Sequence, residues 1–84
     1  MEKQVGRITH YFGKAGVAAI ELQDELKAGD MIHIQGHSSD WTQKVESMQI
    51  EHNIVEKAGP GDVIGLKVDG HAREHDVVYK VTSD

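Results

Sequence analysis

The sequence predicts a small all-β protein with a single domain over residues 1–84. Apolar and polar residues alternate in several short segments, and turn residues recur about every 8–12 positions, as in sandwiches and barrels. A glycine–aspartate pair begins two of these segments, at Gly29-Asp30 and at Gly61-Asp62. No segment carries the apolar stripe that marks an amphipathic helix. Because so short a chain has room for one core and cannot leave many strand edges unprotected, we expect a closed barrel.

Two strands are predicted before the first glycine–aspartate pair. β-Branched and aromatic residues dominate residues 3–12, and residues 17–22 follow after a short turn that predicts an antiparallel hairpin. Alternation places on one face Gly6, Ile8, His10 and Phe12 of the first strand, and Ala18, Ile20 and Leu22 of the second. The polar residues 23–28 are long enough for only a single helical turn.

The longest strand-like segment, residues 41–52, does not keep a constant phase. Val45 belongs to one face and Met48 to the other, so these apolar positions are three residues apart. A three-residue step breaks the period of two and predicts a β-bulge near Glu46-Ser47. Because barrels use bulges to turn corners, the break agrees with a closed barrel.

Three further strands are predicted at residues 30–36, 61–68 and 75–82, and residues 69–74 form a polar loop between the last two. The residues that alternation aligns on one face of these strands are Ile32, Ile34, Ile64, Leu66, Val68, Val77, Tyr79 and Val81. The total is six or seven short strands, which agrees with a sandwich or a small barrel.

The glycines at Gly59, Gly61 and Gly65 are similar to a phosphate-binding loop in composition alone. The third glycine comes one residue late for the dinucleotide pattern, and a strand rather than a helix follows. Without a helix N-terminus there is no dipole to meet a pyrophosphate. The residues predicted to start strands are therefore Gly29, Asp30, Gly61, Asp62 and Gly65.

Acidic residues exceed basic ones, with 14 aspartates and glutamates against 9 lysines and arginines and a formal net charge of -5. Because nucleic-acid affinity comes largely from neutralising phosphates, this balance argues against tight autonomous binding of nucleic acid. The chain has no cysteine, no signal segment in residues 1–10 and no apolar run near the ~18 residues of a membrane span. We expect a cytoplasmic protein without membrane contact.

No arrangement of residues predicts catalysis. The serines lie outside any Gly-x-Ser-x-Gly pattern, and the neighbouring carboxylates lie in polar loops. His71 and His75 are four residues apart, a spacing that aligns metal ligands on a helix, but their segment runs from loop into strand. We therefore predict surface histidines rather than a metal site, a protein that is not an enzyme, and no cofactor.

One group of residues combines aromatic and basic side chains: Arg7, Tyr11, Phe12, Lys14 and Trp41. Aromatic rings beside cations can stack bases and hold phosphates, so Arg7, Tyr11, Lys14 and Trp41 are the candidates for RNA contact. The alternative is structural, with Phe12 and Trp41 plugging the ends of the barrel. The acidic balance of the chain favours the structural alternative.

Five short motifs occur in an order that resembles a known domain. They are Gly6-Arg7-Ile8, Gly16-Val17-Ala18, Leu26-Lys27-Ala28-Gly29-Asp30, Val45-Glu46-Ser47-Met48 and Gly61-Asp62-Val63-Ile64-Gly65. Together they resemble the second, β-barrel domain of translational GTPases such as elongation factor Tu, and the small proteins called translation elongation factor-like. The resemblance implies a closed six-stranded barrel with Greek-key elements that contacts tRNA or ribosomal RNA. GTP binding is not implied, because the sequence lacks Gly-x-x-x-x-Gly-Lys-[Ser/Thr].

These observations lead to two functional hypotheses. The first is a non-enzymatic barrel adaptor associated with translation, which contacts RNA or a ribosome-associated component. The alternative is a protein–protein interaction module that serves a separately encoded enzyme and binds no nucleic acid. Such a module would use an exposed apolar patch or an unpaired strand edge as its contact surface.

Overall fold

The computed structural model describes residues 1–82, which contain ten β-strands and no helix, so the predicted all-β class is confirmed. The strands are β1 (Glu2–Phe12), β2 (Val17–Leu22), β3 (Leu26–Lys27), β4 (Met31–Gln35), β5 (Asp40–Lys44), β6 (Met48–Ile50), β7 (Asn53–Val55), β8 (Lys57–Ala58), β9 (Val63–Lys67) and β10 (Val77–Val81). The described residues accordingly include no helix that could cross a membrane.

Eight strands form one antiparallel sheet in the order β5-β4-β10-β1-β2-β9-β6-β7, and β3 pairs with β8 in a second sheet. Within residues 1–82, β5 and β7 each have a single strand neighbour, so the backbone ladder of the large sheet does not close. The prediction of a closed six-stranded barrel is therefore wrong. The chain leaves the sheet at one edge after β5 and returns near the opposite edge as β6, and these two edges do not pair.

Both sheets contribute to a single hydrophobic core. Its fully buried residues include Val5, Ile8, Ile20, Leu26, Ile32, Ile34, Val45, Met48 and Val78. The inward residues predicted for β2, β4 and β9 are confirmed. The helical turn predicted for residues 23–28 is not formed. Leu26 and Lys27 pair with β8 instead, because this pairing both buries Leu26 and satisfies the main chain.

Two irregularities in β1 change its alternation. The register shifts at residues 4–6 against β10 and at residues 8–10 against β2. Past the second shift Tyr11 is half-buried against the core, while His10 and Phe12 are exposed. The predicted single face through Phe12 is therefore wrong beyond Ile8, because a β-bulge moves the following side chains to the opposite face.

The last strand faces the core through a different residue from those predicted. Val78 is fully buried, whereas Val77, Tyr79 and Val81 are only partly buried. Val78 is paired with Gly6, at the first register shift of β1. Which face of β10 lies inward depends on the register shift in its partner β1. Alternation within β10 alone therefore could not predict it.

The bulge predicted near Glu46-Ser47 is instead a break between two strands. β5 ends at Lys44 and pairs with β4, whereas β6 begins at Met48 and pairs with β7 and β9. Val45 lies in this break and is fully buried. Its N–H and C=O groups bond to the main chain of residues 29 and 30 at 2.7–2.8 Å. The three-residue step in the sequence therefore marks a crossing from one sheet edge towards the other.

Three tight turns share one aspartate-capped geometry. In the turns that end at Asp30, Asp62 and Asp76, a carboxylate oxygen accepts the N–H of the residue three positions earlier, at 2.9–3.0 Å. The residue before each aspartate has a positive φ: 97° at Gly29, 89° at Gly61 and 75° at His75. Glycine adopts this conformation without steric cost, so the first two turns have a sequence signature. The third turn places a histidine there and lacks that signature.

One buried side chain connects the β5 edge to the end of β9, where the backbone ladder stops. Gln43 of β5 donates from Nε2 to the carbonyl of Lys67 at 3.0 Å. Its Oε1 accepts the indole N–H of Trp41 at 2.9 Å and the main-chain N–H of Asp69 at 2.8 Å. These three hydrogen bonds attach β5 to the end of β9, although no backbone pairing joins these two strands.

Candidate functional site

The outer face of the large sheet carries a cluster of apolar residues that face away from the core: Phe12, Val17, Ala19 and Val63. Phe12 is 49% exposed and Val63 is 50% exposed. In an antiparallel sheet the face opposite the core normally carries polar residues, so this cluster is the candidate contact surface. Phe12, predicted as a barrel plug in the structural alternative, belongs to this outer surface.

The apolar cluster lines one end of a groove that follows β9. This end is a cleft of about 450 Å³ bounded by the cluster, by Gln49 of β6 and by the β6–β7 turn. Both turn residues, Glu51 and His52, have positive φ, at 50° and 68°. A two-residue hairpin of this hand usually places asparagine or glycine at these positions, so the turn carries backbone strain beside the cleft.

Two further clefts continue the groove along β9. A cleft of about 190 Å³ is lined by Val17, Ser47, Gln49, Gly65 and Lys67. A cleft of about 300 Å³ is lined by Gln43, Lys44, Glu46, Ser47, Lys67 and Asp69. Neighbouring clefts share lining residues, so we describe the three together as one groove. We call its three parts the apolar section, the central section and the polar section.

The floor of the groove has almost no side-chain bulk. Gly65 of β9 pairs with Ala19 of β2 on one side and with Gln49 of β6 on the other. A Cβ added at Gly65 would lie 3.6 Å from Val17 Cγ1 and 4.0 Å from the Gln49 carbonyl oxygen, which are ordinary contacts. The fold therefore does not require glycine here. Glycine inside a strand occurs at bulges, at tight bends and where a ligand or another backbone approaches closely, and β9 has no register shift against β2.

The charges of the groove are concentrated at its polar end. The polar section holds Lys44, Glu46, Lys67 and Asp69, and none of them forms an ion pair within residues 1–82. Among the described residues that line the central section, Lys67 alone is charged. Lys67 is therefore the charged residue nearest the floor of the groove, with the carboxylate of Glu51 in the apolar section and those of Glu46 and Asp69 in the polar section.

The two aromatic residues predicted to contact RNA lie beside successive residues of one loop. Tyr11 packs against His71 with 4.6 Å between the ring centroids. Trp41 covers Gly70 so closely that an added Cβ would be 3.0 Å from the indole ring. Both rings pack partly against the core. Their positions are explained by packing of the loop, not by an open stacking platform.

The two basic residues of the same prediction lie apart from that loop contact. Arg7 is 4.0 Å from Glu21 on the neighbouring strand. Lys14 is exposed in the turn between β1 and β2. Neither is among the residues that line the groove. The structure therefore brings Tyr11 and Trp41 to one loop and leaves the two cations with other neighbours.

The two histidines considered as metal ligands have structural neighbours. His75 occupies the positive-φ position of the turn that ends at Asp76, and His71 packs on Tyr11. Within residues 1–82 no group of three or more histidine, aspartate or glutamate side chains is placed to hold a metal ion. The groove, rather than these histidines, is the candidate site.

A charged contact of His33 ties three strands together on another part of the sheet. Nδ1 of His33 lies 3.0 Å from the Glu2 carboxylate of β1, and Nε2 contacts the Asp40 carboxylate of β5. Both ring nitrogens must donate, which requires the imidazolium form. Hydrogen bonds from Asp40, then from Glu2, raise the pKa of His33 above its usual value, while partial burial opposes them. Tyr79 of β10 lies beside the ring, at 6.1 Å between centroids.

We expect His33→Gln to be less stable than the parent protein at pH 5.5 and to approach it at pH 9. A raised folded-state pKa contributes stability that is complete below about pH 6.5 and disappears as the pH rises through the folded pKa. Because both carboxylates are largely solvated, the loss should be about 1 kcal/mol or less. Urea unfolding midpoints at the two pH values measure it. His37→Gln, at an exposed histidine, is the control, and an equal pH dependence in both variants would contradict the assignment.

Sequence comparison relates the chain to one segment of larger proteases. It is 42% identical over 77 residues to an uncharacterized protease of Methanocaldococcus jannaschii, and 38% identical over 78 residues to a collagenase of Porphyromonas gingivalis. Each alignment covers 90% of this chain but only 19% and 22% of those proteins. The chain therefore spans about a fifth of the length of the curated relatives it matches. No family model matches the sequence.

Structure comparison identifies the fold. A crystal structure of the C-terminal domain of a Geobacillus thermoleovorans protein, assigned to the U32 peptidases, superimposes with a TM-score of 0.89 at 20% identity. The match covers 95% of this chain and 93% of that domain. The selenomethionine variant of the same domain gives a TM-score of 0.86, with 90% and 96% covered. The fold is that of this peptidase C-terminal domain.

The comparisons correct the prediction drawn from the five motifs. The relatives are named proteases and a collagenase, and the matching structures are peptidase C-terminal domains, so the resemblance to elongation factor Tu is wrong. The association with translation and the RNA or ribosome-associated partner are wrong for the same reason. The predicted alternative, a module that serves an enzyme, fits the peptidase C-terminal fold better.

Proposed function

We propose that this chain is a non-catalytic accessory domain of a U32-type peptidase, which it serves by holding a polypeptide on its groove. The observation that carries the proposal is the pattern of coverage. The alignments take in 90% of this chain but only about a fifth of each protease, which leaves most of the protease for the catalytic machinery. The catalytic part of the peptidase is either joined to this domain in one polypeptide or is a separate polypeptide.

The chemistry of the described residues supports a non-catalytic role. Among residues 1–82 the buried serine is Ser39, and its hydroxyl points to the carbonyl of His71 at 3.4 Å and not to an imidazole nitrogen. A nucleophilic serine needs an adjacent base within hydrogen-bond reach. The absence of cysteine from the sequence supports a reducing compartment such as the cytoplasm.

A domain replacement in the Porphyromonas gingivalis collagenase tests the proposal. Three forms are compared on soluble collagen: the intact enzyme, a form that lacks the 78 aligned residues, and a chimera in which this chain replaces them. The deletion should lower kcat/KM at least about tenfold, and the chimera should recover most of that loss. A short fluorogenic peptide substrate, assayed in parallel, reports whether each form retains a working active site.

Two results would overturn the proposal. Cleavage of collagen or casein by this chain alone, after purification to homogeneity, would make it an enzyme. A chimera that is folded and active on the short substrate, yet no better on collagen than the deletion, would remove the accessory role. Circular dichroism and thermal unfolding establish that the chimera is folded.

A further inference from the structure

We propose that the groove binds an extended polypeptide segment, with an apolar side chain in the apolar section and an acidic side chain two residues away facing Lys67. This inference rests on the proposed function, because a domain that serves a peptidase meets polypeptide chains. It goes further by assigning a binding register and a side-chain chemistry to the occupant.

The shape of the groove fits an extended chain. It follows β9 from Val63 to Lys67 and continues to Asp69, and at the strand rise of about 3.3 Å per residue these positions span at most roughly 20 Å. About six residues of an extended polypeptide have the same length. Neighbouring sections share lining residues along β9, so one extended segment is long enough to reach all three.

The floor allows the occupant to lie close to the sheet. Gly65 and Ala19 are neighbours across β9 and β2, and neither raises a side chain larger than a methyl group. The apolar residues rise beside this low strip, with Val17 and Val63 at its sides and Phe12 beyond. The register places Val17 level with Lys67 and Val63 level with Glu21, on either side of Gly65 along the strands. An apolar side chain of the occupant over Gly65 would therefore lie between Val17 and Val63, which removes exposed apolar surface on both partners.

Lys67, the charged residue of the central section, determines where the occupant carries an acidic side chain. Lys67 follows Gly65 by two positions in β9, so the two residues lie on the same face. Side chains two apart in an extended occupant have the same spacing of about 6.6 Å. When an apolar residue of the occupant lies over Gly65, the residue two positions away in the occupant therefore lies over Lys67. Because Lys67 has no ion-pair partner within residues 1–82, a carboxylate there gains a charge-assisted contact.

Binding of two isomeric peptides to the full chain tests the proposal. The probes are fluorescein-labelled Gly-Gly-Phe-Gly-Asp-Gly and Gly-Asp-Gly-Phe-Gly-Gly, titrated at low salt and followed by fluorescence anisotropy. At least one should bind saturably, and the preferred isomer gives the direction of the chain. Replacing its Asp by Lys should weaken binding at least about tenfold, and raising the salt should reduce the difference.

Substitutions in the groove locate the binding. Gly65→Val should weaken binding of the better probe at least about tenfold, because it raises the floor where the segment approaches the sheet. Gly59→Val adds the same side chain in open space outside the groove and should leave binding unchanged. Lys67→Glu should reverse the charge preference, so that the Lys-containing probe binds better than the Asp-containing one. Thermal unfolding shows whether each variant is folded.

Several results would overturn this assignment. The assignment is overturned if both probes fail to bind at concentrations up to millimolar. It is also overturned if Lys67→Glu leaves the charge preference unchanged. Sedimentation of the free chain tests another occupant, since a dimer that Gly65→Val abolishes would assign the face to a second copy. The two proposals fail separately. A working chimera without probe binding removes the register and charge preference assigned to the groove but leaves the accessory role, and probe binding with a failed chimera removes the peptidase association but leaves the groove assignment.

Discussion

Replacement of Gly36 by alanine is expected to lower the free energy of unfolding by about 3 kcal/mol or more. Gly36 follows β4, and a Cβ built there would overlap the Asp76 carboxylate. Asp76 is buried, and its Oδ2 accepts the N–H of Arg73 at 3.0 Å, so the carboxylate cannot move without opening the turn before β10. Thermal unfolding should show a midpoint lower by about 10 °C or more.

Gly59→Ala is the matched control for this substitution. A Cβ at Gly59 would meet no atom within 4 Å, and the residue does not have a positive φ. Its midpoint should stay the same or rise slightly, because alanine restricts the unfolded chain more than glycine does. Equal midpoints for the two variants would contradict the close packing of Gly36 on Asp76.

Replacement of Gln43 by leucine is the second change with a large expected effect. Leucine has a similar volume but leaves the carbonyl of Lys67 and the N–H groups of Trp41 and Asp69 without their partner. Unsatisfied buried polar groups cost roughly 1–3 kcal/mol each, and partial hydration of the half-buried indole reduces the total to about 3 kcal/mol. Urea unfolding measures this loss. Trp41 is the single tryptophan, so its emission reports directly on the loosened edge.

Gln35→Leu provides the comparison for this variant. Gln35 lies on the neighbouring strand β4 and is exposed, so its replacement should change the free energy of unfolding by no more than about 0.5 kcal/mol. The emission of Trp41 should not move. If Gln43→Leu were as stable as Gln35→Leu, the side-chain link between β5 and the end of β9 would have no energetic role.

Alternation predicted the inward residues of β2, β4 and β9 because it depends only on the strand itself. Ile20, Ile34 and Leu66, for example, face the core as expected. β1 departs from its predicted face after Ile8 because a register shift there depends on the partner strand. The third aspartate turn was hidden for a different reason: His75 fills a position where glycine is the usual signal.

Sheet closure could not be predicted from local pattern. Whether β5 and β6 form one bulged strand or two separate strands depends on the partners they find, and Val45 looks the same in either case. Because a small sheet must protect its edges, a closed barrel is the natural expectation. The chain instead secures one edge with the side chain of Gln43, a device that no periodicity reveals.

The groove could not be predicted from the sequence, because its residues come together only through the strand register. Val17 and Val63 stand out only when the register places them on the outer face, next to Gly65. Gly65 was assigned to strand initiation, yet it lies inside β9. The five motifs that suggested an elongation factor domain consist largely of turn and strand-starting residues. Such residues satisfy general backbone requirements and therefore do not distinguish one small β-domain from another.

Collagen cleavage by the Porphyromonas gingivalis chimera decides whether this chain acts as an accessory domain. We expect this chain, placed where the 78 aligned residues were removed, to restore most of the lost kcat/KM on collagen. We also expect the same chimera carrying Gly65→Val to stay folded and active on the short peptide but to fall back towards the deletion on collagen. A folded chimera that cleaves the short peptide normally and collagen no better than the deletion would rule out the accessory role.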